Sequence, residues 1–91
     1  MEIIFTEHSR FEIQRRQINE NNIKKLIKQS QQIISTKKGR LIYQKKYFDN
    51  PMKMKKEILL RVIGKKEKER FTVITAYKTS KIKKYWIKGG N

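Results

Sequence analysis

The sequence predicts an α+β domain, with two N-terminal helices packed on one face of a three- to four-stranded antiparallel sheet. Three observations predict it. The N-terminal third carries apolar residues at helical spacing, with Ile23, Leu26, Ile27 and Ile34 at i, i+3, i+4 and i+11. After Gln31 the period shifts to two, and β-branched and aromatic residues crowd into Arg70–Thr79 (RFTVITAYKT). The chain has 91 residues, 36% of them hydrophobic, which fills one modest core. A single domain over residues 1–88 is expected, with the GGN tail at 89–91 frayed.

The elements follow in order. Glu2 to Phe5 is a short apolar piece, either a strand or an extended lead-in. Thr6 suits the N-cap of a first helix from His8 to Arg16, and Glu7 suits its first turn. Phe11 and Ile18, seven apart, are its expected core residues. Asn19 caps a second helix from about Glu20 to Gln32, with Lys24, Lys25 and Lys28 on its wet side. Ile33 to Thr36 begins a strand, and Lys38-Gly39-Arg40 turns the chain into a strand from Leu41 to Phe48. Alternation puts Tyr43 and Lys45 on one face of that strand and Ile42, Gln44 and Lys46 on the other. Asp49-Asn50-Pro51 is a turn. Glu57 to Ile63 is a strand, Gly64 to Lys68 closes a hairpin, and Lys83 to Ile87 is a last short strand. The sheet face away from the helices is polar or binds something, and Tyr43, Tyr47, Tyr77, Tyr85 and several lysines are available for it.

Charge narrows the function. Twenty-four Lys and Arg against eight Asp and Glu give +16. The surplus is uneven, about +2 in residues 1–35 and +14 in residues 36–91. A small body so charged repels itself, and a polyanion, most commonly nucleic acid, relieves the repulsion. The absence of Cys excludes disulfides and thiolate metal sites. One His and few clustered carboxylates argue against a zinc or catalytic metal site, and no cofactor is expected. The opening MEIIFTEHSR is too short and polar for a signal peptide, no apolar run spans a bilayer, and no helix is both basic and strongly amphipathic. A cytoplasmic protein without a membrane partner is expected.

One set of residues suits metal-free RNA cleavage. His8 and Arg16 lie eight apart on the first helix with Glu12 between them, and Thr75 and Tyr77 leave one face of the long strand. Cleavage removes a proton from the 2′-hydroxyl, supports a phosphorane with cations and donors, and returns a proton to the 5′-oxygen. A histidine can move those protons and an arginine can clamp phosphate oxygens. The same spacing is also that of a surface histidine and of ordinary strand residues.

The stretch FTEHSRFEIQRRQINENNIKKLI resembles the opening of a bacterial and archaeal family of small domains of unknown function, in which a His-x3-Arg-x3-Arg-x-Ile helix precedes a polar cap and a second helix. VITAYKTSKIKKYW resembles that family's final strand and tail. The family is placed in the RelE-like superfamily of ribonuclease folds, alongside barnase, EndoU and the colicin D and E5 tRNases. Toxins of that superfamily use a helical His and Arg with a Thr-x-Tyr pair on a late strand. The resemblance implies His8 as proton carrier, Arg16 as phosphate binder, and Thr75 and Tyr77 as positioning or donor groups. Glu12 departs from the family's usual first Arg, and Gln17 from a usual glycine.

The reading is therefore a metal-independent endoribonuclease, the toxin of a toxin–antitoxin pair, with RNA and an acidic antitoxin or immunity protein as partners. Arg15, Lys45, Lys78, Lys81 and Lys84 would contact RNA phosphates, and Tyr85 would stack on bases. The alternative is a non-catalytic RNA- or DNA-binding module on the same fold.

Overall fold

The computed structural model describes residues 1–49 and 56–88. Its elements are β1 (Glu2–Phe5), α1 (Glu7–Arg15), α2 (Glu20–Gln29), β2 (Gln32–Ser35), β3 (Leu41–Asp49), β4 (Lys56–Glu67), β5 (Arg70–Thr79) and α3 (Ile82–Tyr85). The five strands form one sheet in the order β1-β5-β4-β3-β2.

This corrects the expected architecture of two helices on three or four antiparallel strands. The sheet is mixed, because β1 pairs in parallel with β5, Glu2 opposite Arg70 through Phe5 opposite Val73. The remaining pairs are antiparallel. The expected last strand at 83–87 is instead the one-turn helix α3 and an extended tail. Thr79 Oγ1 accepts the Lys81 N–H at 3.0 Å and redirects the chain, and glutamine side chains then hold the tail's backbone over the sheet. The expected turn at Gly64–Lys68 is strand as far as Glu67, and the hairpin closes at Lys68–Glu69. Asn50 and Pro51 of the second expected turn, and the tail at 89–91, lie outside the described residues.

Local chemistry sets the helix ends. Thr6 accepts the Ser9 N–H at 3.0 Å and Asn19 accepts the Asn21 N–H at 2.7 Å, each satisfying an orphan donor. At the end of α1, Gln17 takes φ +57°, the left-handed conformation. There the Gln17 N–H donates to the Gln14 carbonyl at 3.0 Å and the Ile18 N–H to the Ile13 carbonyl at 2.8 Å. That is a Schellman ending, with its two apolar members, Ile13 and Ile18, both in the core.

The core lies between α1, α2 and one sheet face. It joins Phe5, Ile13, Ile18, Ile23, Leu26 and Ile27 to Tyr43, Leu60, Val62, Phe71, Val73 and Ala76. Phe11, expected inside, is 62% exposed. Two residues of helix turn it roughly 200° away from buried Ser9 and Ile13. Tyr43 and Tyr47, expected on the far face, belong to the helix side. The Tyr43 ring meets Phe71 edge-on at 5.0 Å, and Tyr47 packs against the core.

A bulge decides what the far face of β5 carries. Gly64 pairs with Val73 and Ile63 with Thr75, leaving Ile74 unopposed. Phe71 and Val73 before it face the helices, and so does Ala76 after it. Thr75 and Tyr77 therefore leave the outer face, away from α1 and α2. Gly64 itself admits no side chain, since a Cβ there would lie 2.3 Å from the Phe71 ring and 2.4 Å from the Thr72 carbonyl oxygen.

Candidate nucleic-acid interface

A row of polar side chains crosses the outer face at one level of the sheet. The register sets Gln32 of β2 opposite Gln44 of β3, Gln44 opposite Arg61 of β4, and Arg61 opposite Tyr77 of β5. Their side chains bond in sequence. Gln44 Nε2 donates to Gln32 Oε1 at 2.7 Å, Arg61 Nε to Gln44 Oε1 at 2.9 Å, and Arg61 Nη1 to the Tyr77 hydroxyl. Gln32, Gln44 and Arg61 are all buried.

The tail roofs this row. Gln44 Nε2 also donates to the Tyr85 carbonyl at 3.2 Å, while Gln32 pairs with both backbone groups of Ile87. The Tyr85 ring lies 4.2 Å from the Arg61 guanidinium carbon and meets Tyr77 edge-on at 6.2 Å. Lys46 Nζ lies 3.9 Å above the Trp86 ring, so Trp86 is half-buried under a lysine stem. Beside the roof a cleft of about 710 Å³ is lined by Lys46, Lys81, Lys83, Lys84, Lys88 and Trp86, with Glu57 as its one acid among the described residues.

Arg61 is the electrostatic centre. Among the described residues no carboxylate lies within ion-pair distance of it, and its hydrogen-bond partners are a neutral amide and a phenol. A buried cation without a counter-charge is expensive, and an arriving anion relieves that cost. The two tyrosines beside it are driven apart. Burial pushes the Tyr77 phenol up, against the pull of Arg61. The hydrogen bond from Tyr77 pulls the Tyr85 phenol down, helped by the charges of Lys84 and Arg61.

The residues singled out from the sequence divide between this face and its edge. Arg16 follows α1, which packs on the helix side, but its guanidinium reaches the edge of β5 beyond the end of β1. There Nη1 donates to Thr75 Oγ1 at 3.0 Å and to the Ala76 carbonyl at 2.9 Å. Glu12 binds Arg16 at 3.3 Å and also Arg15, and its other oxygen lies 4.0 Å from His8 Nε2. His8 and Arg15 are exposed. The fold thus brings Arg16 to Thr75 and sets Tyr77 with Tyr85. It links His8 to Thr75 only through Glu12 and Arg16, and the Tyr77 hydroxyl points to Arg61. Lys81, Lys84 and Tyr85 border the outer face. Lys45 and Lys78 line a separate cleft on the helix side, with Lys25 and Tyr47.

Gln32, Gln44 and Arg61 were not singled out by sequence reasoning. Arg61 had a signal, a lone charge in the apolar run EILLRVI. The glutamines had none beyond the parity that put Gln44 opposite Tyr43.

Among the described residues, no three His, Asp or Glu side chains cluster in a way that would hold a metal ion, and no helix is long and apolar enough to cross a membrane. The model of a family described as a domain of unknown function, DUF4258, matches residues 5–78, and the chain belongs to that family. No curated protein and no solved structure matches the chain.

Proposed function

We propose that this DUF4258 member binds RNA on the outer face of its sheet and cuts it there without a metal ion. It would be a ribonuclease of the RelE-like superfamily and the toxin of a pair whose other member is an acidic antitoxin or immunity protein. The carrying observation is the buried Arg61 guanidinium, held by neutral partners beneath Tyr85 in a lysine-rimmed face. Among the described residues Arg61 has no acid partner, so an incoming phosphate would find a desolvated cation there, and the lysines and Trp86 would supply backbone contacts and stacking.

The chemistry follows from the split tyrosines, since neighbouring groups with separated affinities for protons take the base and acid roles. Tyr85, the more readily ionised, accepts the 2′-hydroxyl proton as that oxygen attacks phosphorus. Arg61 supports the phosphorane oxygens. The P–O5′ bond breaks and Tyr77, held protonated by burial, gives its proton to the leaving oxygen. The products are a 2′,3′-cyclic phosphate and a 5′-hydroxyl. Arg16 then stands at the β5 edge, and neither it nor His8 belongs to the reaction centre.

A second reading, a module that binds RNA without cutting it, is favoured by one observation: His8, the expected proton carrier, is linked to Thr75 only through Glu12 and Arg16, while the Tyr77 hydroxyl points to Arg61. Incubation with total RNA and EDTA, followed by end mapping, separates the two. New 2′,3′-cyclic phosphate ends, lost in Tyr85→Phe, support cleavage. Salt-sensitive binding without new ends supports the module. RNA that neither binds nor is cut overturns both.

A further inference from the structure

We infer that the outer edge of β2 is a docking edge for an extended, acid-flanked segment of a partner protein. β2 ends the sheet order, so among the described residues no strand pairs on its outer side. Natural edge strands are normally guarded by shortness, lysine, proline or a bulge, and β2, with 4 residues, has only the first of these. This chain is 35% charged, yet Ser30 to Thr36 (SQQIIST) contains no charged residue and no proline. Ile33 is 57% exposed, although its register partner Tyr43 is buried. Ile87 is 48% exposed, and with β2 it lines a shallow cleft of about 550 Å³. The opposite edge of the sheet differs: β1 carries Glu2, which pairs with Arg70.

The occupant is set by charge. Lys28 precedes β2, and Lys37, Lys38 and Arg40 follow it. An uncharged strand with Ile33 and Ile34 at its centre lies between two basic ends. An antiparallel second copy would bring the Lys37–Arg40 end of one chain against the Lys28 end of the other, on bodies of +16 each. A partner strand with apolar alternation at its centre and carboxylates at both ends meets the edge with main-chain hydrogen bonds and the flanks with opposite charge. The inference is independent of RNA binding and cleavage.

The probe is a synthetic peptide, Glu-Glu-Val-Thr-Val-Thr-Val-Glu-Glu, added to the full chain without RNA. Fluorescence anisotropy measures affinity, and amide chemical shifts locate the contact. Binding is expected, with shifts confined to residues 31–36. Affinity should fall at least tenfold for a peptide with proline at its centre, for a lysine-flanked peptide, and for Ile33→Lys, a change at an exposed side chain. Lys37→Glu with Lys38→Glu should weaken it as well. No binding, shifts centred on the lysine cleft at 81–88, or equal affinity in Ile33→Lys overturns the inference. So does a peptide-free dimer that Ile33→Lys dissolves, which would assign the edge to a second copy.

Discussion

The Arg61 guanidinium lies over the Tyr85 ring: its carbon is 4.2 Å from the ring centroid, joining the middle of β4 to a helix turn 24 positions later. The contact ties the roof to the buried row and covers the one cation in it. Planarity matters here, because the same fork must also reach Gln44 and Tyr77. A lysine ammonium keeps the charge but cannot stack and bridge at once. Arg61→Lys is therefore expected to weaken RNA binding about tenfold, equivalent to ~1.4 kcal/mol. Replacing Lys84, on the rim, should cost less and mainly reduce the salt slope. Titration of labelled RNA at two salt concentrations measures both, and equal losses in the two variants would remove Arg61 from its central place.

Gly64 is where the outer row and the core constrain each other. The bulge opposite it turns Thr75 and Tyr77 outward, and Phe71 fills the space its missing side chain leaves. A Cβ would meet the Phe71 ring and also the Thr72 carbonyl, and the second of these is backbone that no rotamer change relieves. Gly64→Ala should destabilise the fold by about 2–3 kcal/mol, the upper part of the range for overpacking. For a domain of this size that lowers Tm by roughly 10–20 °C. Trimming Phe71 to leucine in the same chain should recover only part of the loss. Thermal denaturation of the three variants tests this, and full recovery would show that the backbone oxygen is no obstacle.

These two residues show what the sequence made legible and what it hid. The helical stripe of Ile23, Leu26 and Ile27, the caps Thr6 and Asn19, and the density of β-branched residues in β5 act within a few positions, and each could be read directly. The parallel pairing of Glu2–Phe5 with β5 joins segments nearly 70 positions apart, and no local pattern states it. The tail from Lys83 reads as a strand by composition. Gln32 and Gln44 capture its backbone instead, a tertiary contact that overrides propensity. In the candidate site, Thr75 and Tyr77 were legible as an i, i+2 pair, but which face they take depends on the bulge at Ile74. Arg61 was visible as a charge in an apolar strand, and its meaning emerged only when its neighbours proved to be neutral.

The end of α1 carries a removable cost. Gln17 sits at φ +57°, a conformation that L side chains enter at roughly 1–2 kcal/mol and glycine enters freely. Its side chain is exposed, and the Schellman hydrogen bonds are made by backbone alone. Gln17→Gly should raise stability by about 0.5–1 kcal/mol, the strain relieved being partly offset by the entropy glycine loses on folding. RNA binding should not change, because Gln17 touches no part of the outer row. Chemical denaturation provides the measurement, and a lower midpoint for the glycine variant would mean that the left-handed turn carries no strain.

Glu12 makes the domain's stability sensitive to acid, and the direction follows from its partners. The hydrogen bond from Arg15 holds its carboxyl below the ordinary carboxylate range, with Arg16 and His8 adding to the effect. Folding therefore favours the ionised form. That stabilisation is fully present above the unfolded value of about 4.3 and is lost as pH falls through the lower folded value. Wild-type Tm should therefore drop as pH falls from about 5 toward about 3, through the window between the unfolded and the lower folded value of Glu12. In Glu12→Gln the dependence should be shallower, with the gap between the two proteins largest near neutral pH and closing in acid. Arg16 should also lose its fixed position, which the Thr75 side-chain signals in an NMR spectrum would report. Two pH profiles running parallel throughout would show that Glu12 contributes nothing to the folded state, and that Arg16 is held at the β5 edge by Thr75 and the Ala76 carbonyl alone.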